Sequence, residues 1–223
     1  ASTLSVGGAS NFASTVTIGG AVSIAGALSV GGATNLLGTV TATGNSGFLG
    51  TVRVSGATSL EGALNTTGAA LFSSTVTVVG AATFKSNISV SGTTNLLGTV
   101  TATGNTGFLG TVRVSGATSL EGALNTTGAA LFSSTVTVVG AGTFKSNVSV
   151  SGNSNLLGTV TVGGAVSLAS TLSVGGASNF ASTVTIGGAV SIAGALSVGG
   201  ATNLLGTVTA TGNSGFLGTV RVS

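Results

Sequence analysis

The chain has 223 residues, 40 of them glycine, with no Pro, Cys, Met, Trp, Tyr or His, and only 3% charged residues for a net charge of +3. General acid–base catalysis draws on His, Cys, Tyr, Lys and paired carboxylates, whereas the two carboxylates here, Glu61 and Glu121, occupy equivalent places in two copies of one segment. The inventory therefore points away from an enzyme, a cofactor or a metal site, and the scattered cations Arg53, Lys85, Arg113, Lys145 and Arg221 point away from nucleic acid.

In chain order, residues 1–36 read as three repeats of twelve: ASTLSVGGASNF, ASTVTIGGAVSI and AGALSVGGATNL. Residues 37–96 add five more, among them LGTVRVSGATSL and EGALNTTGAALF. Residues 97–156 restate residues 37–96 at all but five positions: Ser46/Thr106, Ala82/Gly142, Ile88/Val148, Thr93/Asn153 and Thr94/Ser154. One repeat, LGTVTVGGAVSL, covers 157–168, and residues 169–223 are identical to residues 1–55. Eighteen full repeats plus seven residues account for the chain. It reads as one continuous repeat region over 1–223, an excerpt of a longer chain.

Within each repeat the fourth position is Val, Leu or Ile and the twelfth is Phe, Leu or Ile. The sixth is mostly Val or Ile, and the tenth is usually Ser, Thr, Ala or Val. The second is Gly or Ser. Every charge lies at an odd position. Alternation with a period of two is the pattern of β-strands with one buried face. The eighth position is always glycine: Gly8, Gly20, Gly32, Gly44, Gly56, Gly68, Gly80, Gly92, Gly104, Gly116, Gly128, Gly140, Gly152, Gly164, Gly176, Gly188, Gly200 and Gly212. We read these as structural turn glycines that use positive φ, as a type II′ turn requires. The alternative is a close approach of backbones at that point.

The fold class is all-β, an elongated fibre of twelve-residue repeats. One repeat encloses little core, and neither disulfides nor metals are on hand to reinforce it. Leu37, Leu49, Leu97, Leu109, Leu157, Leu205 and Leu217 all occupy the odd, outward first position, and Leu71, Val79, Leu131 and Val139 are outward too. An intertwined homotrimer sharing an axial core is therefore the preferred architecture. A single-chain β-solenoid with each repeat forming one rung is the alternative. Arg53 precedes Glu61 by eight residues, and Arg113 precedes Glu121 likewise. These are candidate register charges, expected to meet within or between chains. The stretches Thr39-Thr41-Thr43, Thr99-Thr101-Thr103 and Thr207-Thr209-Thr211 raise an ice-binding face as an alternative function, interrupted by Arg53, Asn65 and Ser89 in the same repeat columns. Low charge without proline raises a functional-amyloid filament. Sequons begin at Asn65, Asn87, Asn125 and Asn147.

The runs ALSVGGATNLLGTVTATG (27–44) and STLSVGGASNFASTVTIGGA (170–189) resemble the fibrous shaft repeats of viral and tailed-phage fibres and of repetitive bacterial surface proteins. The triple β-spirals of adenovirus and reovirus fibres are similar in kind, although their repeat is longer than twelve residues. The resemblance implies an extracellular, cell-surface or virion-borne shaft. Its partners would be further copies of itself, as a trimer and end to end. A head domain outside this chain would bind the receptor. No membrane insertion is expected.

Overall fold

The computed structural model describes residues 3–223. The chain is all-β. Strands three residues long recur every six residues, from β1 (Leu4–Val6), β2 (Ser10–Phe12) and β3 (Val16–Ile18) onward. Each places its outer two side chains inward and its middle one outward, as in the buried–exposed–buried pattern of Val52–Val54. The six-residue spacing arises because each repeat holds two such strands, one at its fourth to sixth positions and one at its tenth to twelfth. Three-residue corners separate them.

Pairing is parallel, between residues eighteen apart: Leu4 with Val22, Ser10 with Leu28, Val16 with Thr34. One coil of this β-solenoid is therefore three strands, or one and a half sequence repeats. This corrects the expectation that each twelve-residue repeat forms one rung. The correction also answers the small-core argument for the trimer. Each closed coil gathers six inward side chains, and the coils above and below cap that layer. A single chain closes its own three-sided core, so the solenoid is the architecture this chain adopts.

The chain divides into two compact units, Ala1–Gly110 and Thr111–Ser223. In the first, three six-stranded parallel sheets start at β1, β2 and β3; they are called here sheets A, B and C. In the second, the rows of parallel strands that run on from β19 (Val112–Val114), β20 (Thr118–Leu120) and β21 (Leu124–Thr126) are called here D, E and F.

An odd number of strands per coil, combined with two alternating strand types, has a packing consequence. Every strand stacks between two strands of the other type. Fourth-position residues therefore lie against tenth-position ones, and sixth-position residues against twelfth-position ones. Inside sheet B the inward column reads Phe12, Val30, Phe48, Thr66, Phe84, Ala102. Each Phe in that column is flanked only by a smaller residue. Such large-on-small alternation fills a core without strain. Among the described residues eleven Ser or Thr side chains are buried at inward positions, among them Thr66 at 2% exposure between Phe48 and Phe84. Nothing in the fold explains why these hydroxyls replace valine.

The corners obey the same rule. No residue among those described, glycine included, has positive φ. The type II′ expectation is therefore wrong, and the close-approach alternative is right. Glycine is needed because corner stacks on corner. A Cβ added to Gly44 would lie 2.5 Å from the Ala27 nitrogen, and one added to Gly80 would lie 2.6 Å from the Ala63 nitrogen. The eighth-position glycines do sit in these bends between strands. Because a coil is one and a half repeats, an eighth-position corner always stacks on a second-position one. Ser74 therefore lies between Gly56 and Gly92, Ser86 between Gly68 and Gly104, and Ser146 between Gly128 and Gly164. Glycine at the eighth position lets the second position carry serine without two Cβ atoms ever meeting in one stack.

Candidate functional site

Apolar side chains fill the interior, so the groups presented to other molecules lie on the outer surface. The mismatch between repeat and coil distributes that surface. Successive repeats place the same position on successive corners, so the same corner returns only after three repeats. Leu37 follows sheet C, Leu49 follows sheet B, and Leu97 follows sheet A. The outward leucines are exposed, 46% at Leu97 and 66% at Leu49, but in the first unit they spread over all three corners. Within that unit the equivalent leucines form no single apolar seam.

The threonine ranks divide likewise. Thr41 lies in the middle of a strand of sheet A and Thr101 in one of sheet B, so they do not build one plane. At the corners, the hydroxyls of Thr43 and Thr211 donate to the carbonyls of Ala25 and Ala193, eighteen residues earlier. Thr103 Oγ1 donates to the Lys85 carbonyl at 2.8 Å. These threonines tie coil to coil. Asparagine does the same at other corners: Asn45 Oδ1 accepts from the Ala63 N–H and Asn87 Oδ1 from the Asn105 N–H, both at 2.9 Å. Asn65, Asn87, Asn125 and Asn147 are all exposed.

The charges fall into a definite arrangement. Arg53 points outward from sheet C, beside Asn35 in the preceding coil and Leu71 in the next. A shallow groove runs past it, lined by Arg53, Leu71, Asn87 and Ser89. Lys85 stands on the corner between sheets B and C, with Leu49 two coils below it on the same corner. Glu61 occupies the corner between sheets A and B, across the coil from sheet C, followed up that corner by Val79 and Leu97. The second unit repeats the pattern. Arg113 pairs with Leu131 on sheet D, while Glu121, Val139 and Leu157 climb the corner between sheets E and F, across the coil from sheet D. Arg53 and Glu61 therefore face opposite ways within one chain. The neighbouring Leu71 and Leu131 give each arginine an apolar companion, which only the eighteen-residue register makes visible.

Among the described residues no three His, Cys, Asp or Glu side chains come together, and no helix is long and apolar enough to cross a membrane. Compared with known proteins, the chain matches no family model, no curated protein and no solved structure.

Proposed function

We propose that this chain is a structural shaft, a stiff segment of an extracellular or virion-borne fibre that acts mechanically and not catalytically. The observation that carries the reading is the equivalence of the coils. Every two coils restore the same order of inward positions, corners and ladders, so added repeats lengthen the stack without changing its plan. A protein built round a unique pocket gains nothing from restating residues 37–96 as residues 97–156. Parallel ladders along the stack oppose bending and local opening, and the surface has few charged loops for proteases to grip. On this reading the fibre belongs on a cell or virion surface, and a separate domain outside these residues contacts the target.

Electron microscopy of the purified chain, combined with limited proteolysis, tests the reading. Uniform thin rods that resist broad-specificity protease support it. Compact particles digested at many corners remove it. Filaments that grow only when monomer is seeded would favour the amyloid reading instead.

A further inference from the structure

The charged residues and the exposed apolar residues share one geometry in both units. On the groove side of the first unit, Arg53, Leu71 and Ser89 follow one another up sheet C. On the ridge side, Glu61, Val79 and Leu97 follow one another up the opposite corner. Each ridge residue comes eight residues after its groove counterpart: Arg53 to Glu61, Leu71 to Val79, Ser89 to Leu97. In the second unit the same spacing links Arg113 to Glu121, Leu131 to Val139 and Ser149 to Leu157. Val79 is 50% exposed, Leu97 46% and Leu71 37%, while Val139 is 46% and Leu157 50%.

We infer that the cationic groove is a docking surface for the acidic ridge of a second copy of this chain, set side by side and parallel. Within one chain the two surfaces face away from each other, so they can meet only between copies. A shift of less than one coil, about 4.8 Å, brings Glu61 of one copy opposite Arg53 of the next. The same shift brings Val79 opposite Leu71; taken by itself, the second unit offers the same match, Glu121 to Arg113 and Val139 to Leu131. An antiparallel neighbour keeps the ion pair but sets Val79 against the polar Asn35, so direction is specified as well as partner. Within each unit the contact is heterologous: the ridge meets one neighbour and the groove another, which extends into rafts or bundles instead of closing as a pair.

This inference rests on the shaft reading but fails separately from it. The test uses three proteins at about 10 mM and about 500 mM salt, read by sedimentation velocity and electron microscopy, since salt screens exposed pairs. They are the wild type, the double variant Glu61→Arg with Glu121→Arg, and the double variant Arg53→Glu with Arg113→Glu. The wild type should bundle laterally at low salt and disperse at high salt. Each double variant alone should associate about tenfold more weakly while remaining rod-like. A mixture of the two variants should regain association, because the reversed ridge of one fits the reversed groove of the other. Single rods for the wild type at low salt overturn the inference and leave the shaft reading standing. Unchanged bundling of either variant alone, or a mixture no better than its components, overturns it too.

Discussion

Residues 37–96 and 97–156 are nearly the same sequence, yet they do not pack equally well. In the first copy Ala82 and Ile88 point inward; in the second the same places hold Gly142 and Val148. The coil above differs as well. Val90 stacks under Phe108, whereas its counterpart Val150 stacks under Leu168. The effect is measurable. Leu96 is 1% exposed and its counterpart Leu156 8%; Ile88 is 3% and Val148 7%. Backbone bonds lengthen in step, from 3.0 Å for Ile88 N to Asn105 O to 3.3 Å for Val148 N to Ala165 O. An apolar core cavity of about 30 Å³ lies there, bordered by Phe144, Val148, Leu156 and Val160. The lesson is that the ladder tolerates lost methyl groups by stretching slightly. It does not change register.

The strongest way to break this tolerance is to change the stacking order. An eighteen-residue duplication of residues 55–72 adds one whole coil but stacks like on like, Phe72 on a second Phe72. Each overpacked layer costs about 1–3 kcal/mol. We expect a loss of several kcal/mol, seen as a lower thermal midpoint by circular dichroism. A twelve-residue duplication of residues 61–72 preserves the alternation and should leave the midpoint nearly unchanged. Equal midpoints for the two insertions would show that stacking order carries no energy.

Next come the corners. A Cβ on Gly104 would lie 2.6 Å from the Asn87 nitrogen, and one on Gly164 would lie 2.6 Å from the Ser146 carbonyl carbon, with the Ser146 Cα at 3.0 Å. Gly104→Ala should cost about 2–3 kcal/mol, Gly164→Ala somewhat less because its surroundings are looser. Chemical denaturation of the two variants checks the ranking, and a larger loss for Gly164→Ala would reverse the comparison. Smaller again is the conversion of the first copy into the second. Ala82→Gly with Ile88→Val should cost about 1–2 kcal/mol and raise amide exchange in the Ile88 to Leu96 region. The smallest effect is the reverse repair. In Gly142→Ala the new Cβ would stand 3.2 Å from Phe144 Cε2, tight but beside a cavity into which the ring can shift. A gain of about 0.5–1 kcal/mol is expected, helped by the lower entropy of the unfolded chain. Destabilisation would mean that the ring is held where it is.

Much of this molecule could be read from its letters. Inward and outward positions follow from strict two-residue alternation, since both repeat and strand spacing are even numbers. The eighth-position glycines stand out by their constancy, but their reason is not local: a Cβ on Gly80 would lie 2.6 Å from the carbonyl carbon of Gly62, eighteen residues away, and no turn signal reveals that. The length of a coil was hidden because it is a property of closure, set by how many strands surround a filled core. One signal did carry it. Bulk at the twelfth position is matched by smallness at the sixth, and serine at the second by glycine at the eighth. Such complementarity makes sense only if unlike strands lie above one another, which demands an odd number per coil. The charges were legible as a pair in sequence, but Arg53 and Glu61 could be assigned to opposite sides only once three faces were known.

The mismatch between repeat and coil also makes the surface an addressing system. A side chain placed once per repeat, at the fifth position for example, steps from face to face and regains its starting face after three repeats, two coils or about 9–10 Å further on. Any group grafted there, whether a fluorophore, a sugar or a metal chelate, would wind around the stack at fixed intervals. Choosing every third repeat would instead confine it to a straight row on one face. The same twelve letters thus encode either a spiral or a line of attachment points, according to which repeats carry them.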